Sequence, residues 1–171
     1  KKADIQAALG RLQAGGSTAG TSASALAYKM ARKGYVANGI NRILLATDGD
    51  FNVGVTDTHQ IKDMVKRERE SGITLSTLGF GQGNFNDAMM EQIADVGNGN
   101  YSYIDSLNEA RKVLVDELSS TFNTVAKDVK VQIEFNPNVV AEYRLIGYEN
   151  RQLNREDFNN DKVDAGDVGS G

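Results

Sequence analysis

The sequence predicts an α/β fold, with an open and mainly parallel sheet flanked by helices and a β-rich segment after it. The nearly continuous apolar run at 40–47 has the composition of a strand that is buried on both faces, and 73–80 is predicted as the next strand, ended by glycines. Segments with the 3.6-residue period of helices precede, separate and follow them. This alternation is typical of βα units joined by right-handed crossovers.

Two helices are predicted before the first strand. In residues 4–14 the apolar side chains recur at helical spacing, and glycines 15 and 16 end the helix: Ile5, Ala8, Leu9 and Leu12. A second helix is expected to begin after a cap at Thr21 or Ser22. Its predicted inner face consists of Ala25, Leu26, Met30 and Ala31.

The remaining elements of the α/β region alternate along the chain. Helices are predicted at 58–71, 86–96 and 107–121, and strands at 40–47, 73–80 and 100–104. The inner stripe of the middle helix is expected to be Met89, Met90, Ile93 and Ala94. Glycines close most of these elements, which favours short connections.

A change of pattern near residue 125 indicates a domain boundary. Residues 127–135 alternate between apolar and polar side chains, which is typical of a strand buried on one face. A turn at 136–138 leads to a second predicted strand at 143–148, and the polar tail from 150 onward is interpreted as a long loop. The predicted domains are 1–125 and 126–171.

Composition excludes several classes of function. The 171 residues contain no cysteine, so disulfide scaffolds, cysteine nucleophiles and thiolate metal sites are ruled out. With 19 basic and 23 acidic side chains and no basic stripe, the chain is not expected to bind nucleic acid. No apolar run reaches the roughly 18 to 20 residues that span a bilayer, so no membrane contact is expected in this segment. Both ends are expected to be cut, with any targeting segment upstream.

Polar side chains cluster in loops that follow the predicted strands. Asp48-Gly49-Asp50 follows the first strand, 79–83 follows the second, and 15–20 enters a helix. In an open parallel sheet, ligands bind outside the carboxyl ends of the strands. Carboxylates and hydroxyls together suit a hard divalent cation. Taken alone, Asp48 is as consistent with a turn residue as with a metal ligand. Thr18 is more consistent with a helix cap than with a metal ligand.

Three further motifs carry little functional signal. The glycines at 79–83 do not continue as G-x-G-x-x-G, so they do not indicate a nucleotide site. His59 is expected to be a solvated surface residue. Residues 157–161 open like an EF-hand loop, but Lys162 replaces the required glycine and Val168 the bidentate glutamate. We therefore expect a solvated polar loop there.

Several sequence motifs resemble those of a known family. Gly15-Gly16-Ser17-Thr18, the run from Arg42 to Gly49, and Gly72-Ile73 resemble the second half of a von Willebrand factor type A domain over residues 1–125. That resemblance implies a Rossmann-like sheet. The motifs at 48–54, 78–81, 97–101 and 143–150 are similar to those of the bacterial YfbK-type subgroup, in which a type A domain precedes a β-rich region.

The resemblance implies a metal-ion-dependent adhesion site. Matched to the family's motifs, Thr18 takes the second-loop position and Asp48 the third, while the Asp-x-Ser-x-Ser segment lies outside this chain. The implied cofactor is Mg²⁺, which keeps an open position for the carboxylate of a protein partner. The implied function is non-enzymatic protein binding, with no catalytic residue and with an envelope or exported setting.

The missing family segment predicts an exposed edge. In the family's sheet the absent first strand lies beside 42–47, so this apolar strand is expected to be unpaired on one side. Because an exposed apolar edge favours aggregation, we expect the natural polypeptide to continue upstream by about three strands and a helix.

Two alternatives stay open. The first is a Mg²⁺-dependent phosphatase-like enzyme, with Asp48 as nucleophile, Asp50 as general acid or base, and the Thr77 hydroxyl on the phosphate. The second is a structural type A scaffold whose metal site has degenerated, in which Thr18 and Asp48 are only a cap and a turn.

Overall fold

The computed structural model describes residues 1–13, 20–47, 55–81, 87–117, 124–147, 152–160, 163 and 165–169, with the backbone alone for 55–57. The helices are α1 (Lys2–Leu9), α2 (Gly20–Lys33), α3 (Val55–Glu70), α4 (Asp87–Val96) and α5 (Leu107–Arg111). The strands are β1 (Arg42–Thr47), β2 (Thr74–Phe80), β3 (Tyr101–Ile104), β4 (Thr124–Val129) and β5 (Gly166–Gly169). A π-helical turn (Lys112–Asp116) continues α5, and a 3₁₀ turn (Arg155–Asp157) lies in the polar tail.

The first three strands form a parallel sheet in the order β1-β2-β3. The β1–β2 ladder is in register from Arg42↔Thr74 to Thr47↔Gly79. Helix α3 connects β1 to β2, and α4 connects β2 to β3, as parallel pairing requires. The predicted α/β class, with an open parallel sheet, helices on it and a β-rich segment behind, is confirmed.

Strand β2 is the centre of the core and is covered on both faces. On one face Leu75 packs in a buried cluster with the preceding Ile73 and with side chains from α2, α3 and α4: Tyr28, Ile61, Val65, Met89, Met90 and Ile93. On the other face Leu78 packs with Ile104 of β3 and Val113 of the π-helical turn. Side chains on both faces of β2 are therefore buried, as expected for the central strand of a parallel sheet.

The predicted inner face of α2 is wrong. Leu26 and Met30 are 60% and 57% exposed, while Ser24 and Tyr28 are buried. Both sets have helical spacing, and burial of the large Tyr28 ring against α3 and β2 decides which set faces inward. Of the predicted set, Ala31 packs against the core.

Strand β1 departs from the prediction of burial on both faces. Ile43 and Leu45 pack against the core, but Leu44 on the opposite face is 39% exposed. Among the described residues β1 pairs with β2 alone, so its other edge is open, as the sequence predicted. Helix α1 is shorter than expected, and none of its residues is buried.

The C-terminal region contains an antiparallel pair, but its strands are not the two predicted at 127–135 and 143–148. β4 ends at Val129 and pairs with β5, which lies in the tail that was interpreted as a loop. Residues 130–147 have no strand, and Val131 and Ile133 are 74% and 71% exposed. An alternating segment forms a stable strand when its apolar face is covered, and the described residues supply no cover here.

Within the described ranges, every helix is too short or too polar to cross a membrane.

Candidate functional site

The carboxyl ends of the three parallel strands lie in one row. Thr47 of β1 is paired with Gly79 of β2, which is paired with Tyr103 of β3. With neighbouring strands about 4.8 Å apart, this row is about 10 Å wide. The chain segments that follow β1 and β2 therefore leave the sheet side by side, at the edge where ligands bind in open parallel sheets.

Helix α2 begins at the same edge. Its 14 residues span about 21 Å, and the six residues of β1 span about 20 Å, so the two elements are equally long. The Asn41 side chain shapes the short connection between them by accepting from the N–H of Val36 at 2.9 Å and donating to its carbonyl at 2.9 Å. Because α2 packs on β1 and the chain then turns back from α2 into β1, the two elements run in opposite directions, and Gly20 is expected toward the end of the sheet where Thr47 ends β1.

The two predicted metal ligands lie outside the described residues. Thr18 stands two positions before Gly20, the first residue of α2, and Asp48 directly follows Thr47, the last residue of β1. The described residues hold no group of three or more His, Asp or Glu side chains that could bind a metal ion.

Two tyrosines on β3 form hydrogen bonds near the carboxyl ends of the strands. The sequence alone did not identify them. The hydroxyl of Tyr103 donates to the carbonyl of Gly81, and that of Tyr101 donates to the Asp87 carboxylate at the start of α4. Burial and the Asp87 carboxylate raise the pKa of Tyr101 well above its usual range, so it stays a donor. The available signal was the Tyr-Ser-Tyr alternation in a strand beside glycine-rich loops.

Thr77 cannot have the role that the phosphatase alternative assigned to it. Its side chain is fully buried on β2, and its hydroxyl donates to the Met90 carbonyl in α4 at 3.0 Å. A phosphate-binding hydroxyl must reach solvent or substrate, whereas this one links a strand to a helix inside the core. His59 is exposed on α3, as predicted.

The glycine-rich motif at 97–101 packs closely against the backbone of β2. The Gly97 carbonyl accepts from Leu75 N, and the Asn100 carbonyl accepts from Thr77 N, each at 3.0 Å. A Cβ on Gly99 would lie 2.0 Å from the Leu75 carbonyl oxygen, so only glycine fits.

The parallel sheet with helices on it is a Rossmann-like α/β arrangement, as expected for a type A domain. The chain belongs to the von Willebrand factor type A domain family, whose model matches residues 1–117. Domains of this family generally mediate protein interactions. A second family model, described as "Uncharacterized protein YfbK, C-terminal", matches residues 120–171.

One curated relative shares most of this sequence. The chain is 64% identical over 170 residues to the "Uncharacterized protein YfbK" of Escherichia coli strain K12. The match covers 99% of this chain and 30% of the relative, so the chain spans less than a third of that protein's length. No solved structure matches the chain at a significant level.

Proposed function

We propose that this chain is part of a non-enzymatic protein-binding module that holds Mg²⁺ at the carboxyl edge of its parallel sheet. Thr18 and Asp48 are the ligands that this chain contributes, and the Asp-x-Ser-x-Ser segment of the family's metal site comes from outside it. The bound ion supplies a Lewis-acidic position for one carboxylate of a protein partner.

The observation that supports this proposal most is the common position of two segment ends. Gly20 begins α2 and Thr47 ends β1, at the same end of two packed elements of equal length. Thr18 and Asp48 are two residues and one residue away from these points. A residue spans at most about 3.6 Å of chain, so both side chains have a short path to the same region of the edge.

The donor types also fit the ion. A threonine hydroxyl is a neutral oxygen donor, and an aspartate carboxylate is a charged one, and Mg²⁺ prefers both over nitrogen or sulfur. A site with few carboxylates leaves positive charge on the ion. That remaining charge is what a partner's Asp or Glu side chain would neutralise.

The test is Mg²⁺-dependent thermal unfolding of the natural full-length polypeptide. A ligand at 100 times its Kd stabilises the folded state by about 2.7 kcal/mol, so wild type is expected to melt at a higher temperature with Mg²⁺ than with EDTA. Thr18→Ala and Asp48→Asn are expected to lose that gain. Thr21→Ala and Asp50→Asn are the matched controls for a hydroxyl and a carboxylate nearby, and they are expected to keep it.

The same experiment distinguishes the scaffold alternative. If Thr18 is only a helix cap, Thr18→Ala lowers stability by about 1 kcal/mol equally with and without Mg²⁺. Absence of any Mg²⁺ effect on wild type, or equal Mg²⁺ effects on wild type and both ligand variants, contradicts the proposal.

A further inference from the structure

The ammonium group of Lys130 is enclosed although it lies just after strand β4. The side chain is only 8% exposed. Its Nζ donates to the Asp128 Oδ2 at 3.1 Å and to the Asn160 carbonyl at 3.1 Å. A buried charge is costly unless it is paired and hydrogen-bonded, so these two acceptors are what makes this position tolerable for the lysine.

Asp128 connects the same ammonium to strand β5. Its other carboxylate oxygen, Oδ1, accepts from the N–H of Ala165 at 2.8 Å, immediately before β5 begins. The backbone of Asp128 is in the left-handed region, with φ of 51°, a conformation that costs free energy for any residue other than glycine. The contacts of its carboxylate offset that cost and hold the carboxylate between Lys130 and Ala165.

The third segment at this ammonium is the turn that resembles an EF-hand opening. Asn160 N donates to the Asp157 carbonyl at 3.2 Å, and Asn154 Nδ2 donates to the Asp157 carboxylate at 3.1 Å. The turn therefore directs the Asn160 carbonyl toward β4, where Lys130 meets it. Calcium would need six to eight oxygens at 2.3–2.6 Å, whereas a lysine ammonium needs only a few acceptors at about 3 Å.

We propose that the Lys130 ammonium is the fixed cation on which the described parts of the Asp/Asn-rich tail, residues 152–160 and 165–169, close against β4, in place of a metal ion. It joins the end of β4, the turn at 157–160 and, through Asp128, the start of β5. While the ammonium charge is present, β5 stays paired with β4. When the charge is lost, β5 separates and the edge of β4 becomes available to another strand, so the charge acts as a latch.

The test is amide hydrogen exchange of the full chain, with 5 mM Ca²⁺ and with EGTA. Lys130→Met removes the charge and keeps the length of the side chain. Exchange at Ala165 and at Gly166–Gly169 is expected to accelerate by at least about tenfold, because hydrogen bonds to charged groups are lost. Lys130→Arg keeps the charge, and Lys127→Met removes an exposed charge from the adjacent strand β4. Both controls are expected to stay within about twofold of wild type.

Calcium is expected to have no effect on wild-type exchange in the tail. Slower exchange with Ca²⁺ than with EGTA, or unchanged exchange in Lys130→Met, overturns the proposal. If amide exchange in β2 also becomes faster in Lys130→Met, the whole protein is destabilised, and the milder variant Asp128→Asn is used to test the proposal. Faster exchange confined to the tail then supports the latch, and an unchanged tail overturns it.

Discussion

Strand β2 and the segment 130–147 differ in how far their apolar side chains are buried. β2 carries buried side chains on both faces, and its residues Leu75 and Leu78 pack in clusters on opposite faces. In 130–147 the apolar residues alternate with polar ones, and Val131 and Ile133 stay largely exposed. A strand whose two faces are covered by its own neighbouring helices is stabilised locally, whereas a one-sided strand depends on a second layer.

The described part of the C-terminal region has both polar and apolar contacts. Its apolar contribution includes the contact between the rings of Phe135 and Tyr143, with centroids 4.4 Å apart. The Lys130–Asp128 pair joins its strands and tail. Substitutions of the same chemical kind should therefore have very different effects in the two regions.

The largest effect is expected from Gly99→Ala. The new Cβ would lie 2.0 Å from the Leu75 carbonyl oxygen, and backbone on both sides must move to relieve the clash. We expect a loss of more than about 3 kcal/mol in the free energy of unfolding measured with urea. Gly34→Ala is the matched control, because its Cβ meets no atom closer than 3.8 Å. Equal stability of the two variants would contradict a role of residues 97–101 in close backbone packing.

A matched pair of isoleucines compares the two regions directly. Ile93 is fully buried in the core cluster, so Ile93→Ala is expected to cost about 2–5 kcal/mol. Ile133 is 71% exposed, so Ile133→Ala is expected to change stability by no more than about 0.5 kcal/mol. Urea unfolding of both variants measures the difference. A large loss in Ile133→Ala would show that the 130–147 segment is packed after all.

A smaller effect is expected from Thr77→Val. The substitution keeps the shape of the side chain and removes the hydroxyl that donates to the Met90 carbonyl. The loss is expected to be about 1 kcal/mol, with no change in Mg²⁺-dependent stabilisation. Thr77→Ser keeps the donor and should lose less. Loss of the Mg²⁺ effect in Thr77→Val would place this hydroxyl in the metal site and contradict its structural role.

The last effect is a pH dependence confined to the tail. The Ala165 N–H and, next, the Lys130 ammonium hold the pKa of Asp128 below its ordinary value. A lowered pKa means that the carboxylate stabilises the tail above the unfolded value of about 4, and that this contribution is lost as pH falls through the native pKa. An NMR titration of the Ala165 amide should show the transition below pH 4, and Asp128→Asn should remove it. A transition above pH 4 would contradict the assignment.

The sequence predicted the α/β class well because the core strands are specified locally. Runs ending in glycine or Asp-Gly marked β1 and β2, and the stripe of Met89, Met90, Ile93 and Ala94 is buried as predicted. The orientation of α2 was not predictable from spacing alone, because two helical stripes competed and the burial of Tyr28 decided between them. The pairing of β4 with β5 depends on Lys130 contacts across 30 residues of sequence, which no local pattern shows.

The candidate site was predictable only through family resemblance. By itself Thr18 is indistinguishable from a helix cap, and Asp48 from a turn residue. Structure adds the parallel register that aligns Thr47 with Gly79 and the start of α2 at the same edge. Both ligands remain predictions, since they lie outside the described residues.

Iron-mediated affinity cleavage would test the central claim most directly. Fe²⁺ can replace Mg²⁺ in oxygen-ligand sites, and with ascorbate and peroxide it cleaves backbone near the bound ion. In the natural full-length polypeptide we predict cleavage next to Thr18 and next to Asp48, suppressed by excess Mg²⁺ and absent in Asp48→Asn. Cleavage that Mg²⁺ does not suppress, or Mg²⁺-sensitive cleavage only in the tail at 157–160, would contradict a metal site at the carboxyl edge of the sheet.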